Sequence, residues 1–387
     1  MNRLPTLPIG KSSFESIREK NDLYVDKTRH IFELVDRGEY YFLSRPRRFG
    51  KSLTVSTLKC LFEGKRELFE GLWIAQNTDW EWKEHPVVVL DFNEIPHRDP
   101  ETLRNALSGD LQLMADRHGI PLKTDYPETR LKELIVGLRD RFGAGAVFLV
   151  DEYDKPLVSH LGKGEEALEI AQANRDVMKG FFGVLKGAKV APCLRFVFFT
   201  GVSKFSRVSI FSELSDITMN RRYAGIMGYT QAEVELNFAP YIAKFAQETG
   251  QDPKAITEDM RVFYNGYRFS EEDVRVYHPF SVLKALDEMA FKHYWLETGI
   301  PTFAMNLLKK RYDLIPQLEN FQCNPNFLNA YDMENPNLEA ILFQSGCLTI
   351  KDIGESTITL GYPNREVKAA LTGTLLSSLL GGSPTFP

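Results

Sequence analysis

Four short apolar runs constrain this chain more than any other feature: Glu39–Ser44 (EYYFLS), Pro86–Phe92 (PVVVLDF), Ala146–Asp151 (AVFLVD) and Arg195–Thr200 (RFVFFT). Each is rich in β-branched or aromatic residues and carries a polar residue at or next to its end. The stretches between them, such as Glu101–His118 and Thr129–Arg141, are long enough for crossover helices. Strands covered by helices on both faces read as unbroken apolar runs, so the pattern predicts an α/β fold built on a parallel sheet.

The texture changes after about residue 230. Thr230 followed by Glu233 is a capping-box pair, which predicts a helix running through NFAPYIAKFAQETG. Helical patterns follow at Asp252–Tyr264 and Pro279–Phe291, and strand-like runs at Leu348–Ile353 and Ser356–Leu360. At 387 residues the chain is long for one core. We therefore expect a parallel-sheet core over 1–230, a helical lid over 231–310 and a small α+β, winged-helix-like module over 311–387, its Gly/Pro-rich tail frayed.

Gly-Lys-Ser occurs twice, at Gly10-Lys11-Ser12 and Gly50-Lys51-Ser52. Context separates the two. Gly10 follows LPTLPI, which holds two prolines and no strand-forming run, and reads as a turn before a helix at Ser13–Lys20. Gly50 follows the strand EYYFLS through Arg45-Pro46-Arg47-Arg48-Phe49 and precedes a helix marked by Leu53, Leu58 and Leu61. Strand, tight loop and helix aim free backbone N–H groups and a helix N-terminus at a phosphate. Lys51 would reach the β- and γ-phosphates of ATP, and the Ser52 hydroxyl would hold Mg²⁺. Arg45 stands where the pattern G-x-x-x-x-G-K-[ST] has its first glycine; Pro46 offers part of the bend.

The partner motif is AVFLVDE, an apolar strand running into two carboxylates. This is the Walker-B form, in which Asp151 orders Mg²⁺ and Glu152 polarises the attacking water. Asp91, which ends VVVLD, lacks a second acid and ranks below it. Thr200 reads either as a γ-phosphate sensor or as a satisfied strand-end hydroxyl. Lys204 and Arg207 follow it; Arg207 is a candidate to supply charge to the transition state.

With these residues in place, the chain resembles the predicted AAA-ATPase-like family of bacterial and archaeal proteins. LPIGKSSFESIREKNDLYVDKT, SRPRRFGKS, VDEYDKP, FTGVSKFS, FYNGYRFS and LFQSGCLTIKD are similar to family blocks. The resemblance implies an ASCE-type P-loop NTPase fold, makes Arg45 normal, and places Tyr24 and Asp26 beside the nucleotide with loop residues Arg45 to Leu53. Such chains often continue into a PD-(D/E)XK nuclease-like domain. Glu366-Val367-Lys368 imitates a nuclease E-x-K but has no upstream acidic partner in a strand. We read it as a solvated charge pair, and the chain as a truncated or ATPase-only member.

Composition narrows the function classes. Hydrophobic residues make up 43% and charged residues 26%, an ordinary globular mix. The net charge of −5, from 47 Lys+Arg against 52 Asp+Glu, argues against whole-surface nucleic-acid binding. The four cysteines lie apart, with no metal-ligand spacing. No signal-peptide core or membrane-length apolar run is visible, so a cytoplasmic protein is expected. The expected function is a Mg-dependent ATP hydrolase acting as a motor or switch, on an unidentified protein partner or as a homo-oligomer. The alternatives are a nucleotide-gated interaction module with negligible turnover and, by family analogy alone, the ATPase of a DNA-processing or defence system.

Overall fold

The structure, a computed structural model, describes residues 4–205, 214–298, 302–328 and 337–379. Helices α1 (Phe14–Glu19) and α2 (Thr28–Arg37) precede strand β1 (Tyr40–Ser44), which runs through a loop into α3 (Lys51–Phe62). Then come α4 (Trp73–Asn77), β2 (Val87–Asp91), α5 (Pro100–Arg117), α6 (Pro127–Phe142) and β3 (Ala146–Asp151). The first half closes with α7 (Lys155–Val158), α8 (Glu165–Gly183), β4 (Leu194–Gly201) and β5 (Ser215–Asp216).

These strands form one all-parallel sheet in the order β2-β3-β4-β1-β5, flanked by helices. Alternation along each strand explains the unbroken apolar runs. Val147 and Leu149 of β3 join one core with α2 and α3, while Ala146, Phe148 and Val150 join another with α5, α6 and α8. Register sets the polar strand ends side by side. Asp91 pairs with Asp151, and Ser44 pairs with Gly201 of β4, which lies between β3 and β1. In open parallel sheets that end is where ligands bind. β5 was not expected, because two residues leave no pattern to read.

The second half holds β6 (Tyr229–Thr230), α9 (Gln231–Asn237), α10 (Ala239–Thr249), α11 (Pro253–Tyr264), β7 (Tyr267–Arg268), β8 (Arg275–Tyr277) and α12 (Pro279–Glu288). It continues with α13 (Thr302–Lys310), β9 (Phe321–Cys323), α14 (Leu338–Gln344), β10 (Thr349–Ile353), β11 (Ile358–Gly361) and α15 (Arg365–Leu379). The strands make two antiparallel three-stranded sheets, β6-β8-β7 and β10-β11-β9. The Thr230–Glu233 capping box is present. The helix it opens stops at Asn237, and a second begins at Ala239, because Pro240 has no N–H for a continuing ladder.

Glu366 corrects the solvated-pair expectation. Its side chain is fully buried, accepting from Ser281 Oγ and the Trp295 amide, while Lys368 reaches out to Glu319. The apolar cores also cross the chain: Phe14, Leu58 and Phe196 share one with Tyr267, Phe343 and Leu371. Among the described residues no helix is long and apolar enough to cross a membrane.

Candidate functional site

The loop from β1 to α3 turns through two left-handed residues, Arg48 (φ 62°) and Gly50 (φ 96°). Arg45 is not in that region, so the first position of the loop does not need a glycine. Its side chain points away from the loop's mouth. The buried guanidinium donates to the carbonyls of Ser44 and Thr218 at 2.8 Å and Tyr223 at 3.2 Å, and lies 4.3 Å over the Phe269 ring. Phe49 is boxed by Tyr267, Phe269 and His278. Arg45 and Phe49 are thus anchored by the surrounding protein.

At Gly50 the chain enters α3 with no side-chain cap, and a Cβ there would meet nothing within 4 Å. The first-turn N–H groups of α3 therefore face open space, where the helix dipole favours an anion. Lys51 is 4% exposed; its Nζ donates to the Pro46 carbonyl at 3.3 Å and lies 3.1 Å from Glu152 Oε1. Asp151 Oδ1 accepts from the Glu152 amide at 3.0 Å. Burial pushes the Asp151 carboxyl up to about 6, against the lowering pull of the neighbouring Ser52 side chain. Burial would raise Glu152 too, but the charge and hydrogen bond of Lys51 hold it below the usual carboxylate range.

Glu152 sits at φ 51°, a left-handed conformation that costs a residue with a Cβ about 1–3 kcal/mol. That turn brings its carboxylate to the wall of a cavity of about 490 Å³, a size that suits a small-molecule ligand. Arg47 to Leu53 line this cavity, together with Tyr24 and Lys27. Burial of the Tyr24 phenol raises its pKa. Lys27 Nζ donates to the Gly225 carbonyl at 2.8 Å and to Glu233 at 2.6 Å. Ile226, Met227, Phe280 and Leu283 add apolar lining. The first tripeptide, Gly10-Lys11-Ser12, also lines it.

Five of the expected site residues are not among those that line the cavity: Arg45 and Asp151, described above, and Asp26, Thr200 and Pro46. Asp26 accepts from the Trp73 and Thr28 amides and the Thr28 hydroxyl, so both its oxygens serve local structure. Thr200 is fully buried and its hydroxyl donates to the Leu43 carbonyl at 2.8 Å, the satisfied strand-end alternative. Pro46 contributes its carbonyl rather than a cavity-facing surface. Arg207 lies outside the described residues.

Sequence reasoning gave no role to Tyr153 and Asp154. Asp154 is buried and accepts from the Ser203 amide at 2.8 Å and the Val202 amide at 3.2 Å. The Tyr153 hydroxyl donates to the Ser203 carbonyl and accepts from the Phe205 amide. Together they fasten the chain after β4 against the carboxylate pair. Gly201 permits this closeness, since a Cβ there would stand 2.4 Å from Asp154 Oδ1. The readable signal was the recurrence of acids in VDEYD.

The family described as Predicted AAA-ATPase matches residues 8–211, which span strands β1 to β4 and the loop. A protein of Azotobacter chroococcum mcd 1, described as an uncharacterized protein in the vnfD 5′ region, is 38% identical over 378 residues, covering 96% of this chain and 70% of that protein. The chain belongs to the predicted AAA-ATPase family.

Proposed function

We propose that this protein is a Mg-dependent ATP hydrolase that works as a switch or motor for a partner or for further copies of itself. The observation that carries the reading is the placement of Lys51, buried at the uncapped N-terminus of α3 between the Pro46 carbonyl and Glu152. The residues present fit a nucleotide. The open space at Gly50, the α3 N–H groups and Lys51 suit phosphate oxygens, and the apolar lining of the cavity suits a base. Ser52 and Asp151 offer a hydroxyl and a carboxylate, the oxygen donors a hard cation takes.

In this reading the α3 amides and Lys51 bind the terminal phosphates, which takes Lys51 away from Glu152. The freed carboxylate then orients water and accepts its proton. Ser52 and Asp151 hold Mg²⁺, which when bound neutralises phosphate charge and polarises the bond to be broken. Residues 231–310 act as a lid over the base through Phe280 and Leu283, and a cytoplasmic location is part of the proposal. A second reading, a nucleotide-gated module with negligible turnover, is favoured by one fact: Lys51 holds Glu152 acidic, and so a weak base.

Phosphate release by wild type and Glu152→Gln separates the two. Losing general-base assistance costs about 10²–10⁴-fold in rate. The hydrolase reading expects that loss with nucleotide affinity retained. Equal rates for the two proteins leave the gated module standing.

A further inference from the structure

The Glu366-Val367-Lys368 triplet and the buried His278 have no part in the function proposed above, yet they meet beneath the phosphate loop. His278 is fully buried, and its Nε2 donates to the Arg47 carbonyl 3.2 Å away. A carbonyl only accepts, so Nε2 carries the proton and Nδ1 the lone pair. Nδ1 accepts from the Ser281 amide at 3.3 Å, capping α12. Burial, which pulls the imidazole down to about 4, agrees with a neutral ring. The Ser281 hydroxyl lies 2.9 Å from Nδ1 and donates to Glu366 Oε2 at 2.9 Å. Glu366, in the first turn of α15, also accepts from the Trp295 amide at 2.7 Å through Oε1.

Three buried residues therefore join the phosphate loop to the start of α15, with Ser281 holding His278 through its backbone amide and Glu366 through its hydroxyl. Buried polar groups cost free energy unless hydrogen-bonded, and in such chains each member holds the next. The Arg47–Arg48 peptide is planar and trans, so a carbonyl turned to His278 points the Arg48 N–H the opposite way. Packing reinforces the grip. The Arg48 guanidinium lies 5.2 Å from the Phe280 ring, and Gly346 abuts Pro46 so closely that a Cβ would stand 2.9 Å from it.

We propose that His278, Ser281 and Glu366 are positioning residues that hold the Arg48 N–H toward the nucleotide phosphates and make nucleotide affinity depend on the seating of α15. This rests on the nucleotide reading of the cavity. The chain acts as a unit, so breaking it at either end has the same consequence.

The test compares His278→Phe, which keeps ring packing but loses both hydrogen bonds, with Glu366→Leu and Glu366→Gln. Mg-ATP titration should show roughly tenfold weaker binding for His278→Phe and Glu366→Leu, about the worth of one hydrogen bond. Glu366→Gln should bind like wild type, since its amide oxygen can accept from Trp295 and its NH₂ can donate to Ser281. The double variant His278→Phe/Glu366→Leu should bind no worse than the weaker single variant. Wild-type affinity in either broken variant, multiplied losses in the double, or Glu366→Gln as weak as Glu366→Leu would each overturn the proposal. Ser281→Ala is the smaller break if His278→Phe does not fold. Amide exchange at residues 45–50 in nucleotide-free protein supplies an independent readout. It should rise in the broken variants and stay at the wild-type level in Glu366→Gln; no rise would sink the chain. Exchange tests the chain even if wild type binds no ATP, an outcome that would count against the nucleotide reading alone.

Discussion

Gly10-Lys11-Ser12 and Gly50-Lys51-Ser52 are the same three residues, lie on one cavity and each have a left-handed glycine, with φ 72° and 96°. They differ in what surrounds them. The first leads into α1, six residues long, whose N-terminal donors have a partner: Ser13 Oγ accepts from the Ser16 amide at 3.2 Å. The second opens α3, twelve residues long, with no side chain at its cap. The Lys11 side chain is 34% exposed and pairs with Asp22, whereas that of Lys51 is 3% exposed and faces Glu152. A preceding buried strand and an uncapped helix start, rather than the tripeptide, are what the proposed phosphate site rests on. The first copy contributes a wall of the same cavity, which its proline-flanked sequence did not suggest.

The sharpest way to break this contrast is to remove each serine. Ser52 opens α3 beside Asp151 and lines the cavity, so Ser52→Ala should weaken Mg-ATP binding roughly 10–100-fold, the range for losing one supporting metal contact. The loss should be smaller for ATP in chelator. Ser12→Ala should leave both affinities near wild type. Equal losses in Ser52→Ala with and without Mg²⁺ would reduce that residue to a helix start.

A smaller effect concerns the carboxylates behind the second loop. Burial, followed by the charge of Glu152, raises Asp154 from 3.8 to about 7. Between those values the folded protein binds a proton that the unfolded chain does not. The contribution of this group to stability is therefore present below about pH 4 and falls as pH rises toward about 7. Asp154→Asn removes the titration and keeps an oxygen to accept from the Ser203 amide. Relative to wild type, nucleotide-free Asp154→Asn should gain on the order of 1–3 kcal/mol between about pH 5 and pH 8 in denaturant unfolding. A stability difference that does not change with pH would contradict the assigned titration.

What was legible follows contact range. The strands, the start of α3 and the adjacent Asp151-Glu152 pair at the end of β3 rest on patterns within a few residues of one another, and these elements could be read directly. Arg45, Asp26 and Thr200 could not, because their partners at Thr218, Trp73 and Leu43 come from elsewhere in the chain. Glu366 is the strongest case. Its neighbours in sequence suggest a solvated charge, while Trp295 and Ser281, 71 and 85 residues away, bury it. The break between α9 and α10 was written in Pro240 and outweighed by the apolar periodicity around it.

The most direct measurement is the thermal shift given by saturating Mg-ATP in wild type, Lys51→Ala and Lys11→Ala, each against its own nucleotide-free protein. A ligand at 100 times its dissociation constant stabilises a folded protein by about 2.7 kcal/mol. Lys51 sits buried at the start of α3, so Lys51→Ala should abolish most of the shift, while Lys11→Ala, which removes a partly exposed pair with Asp22, should keep it. A shift retained in Lys51→Ala and lost in Lys11→Ala would contradict the account.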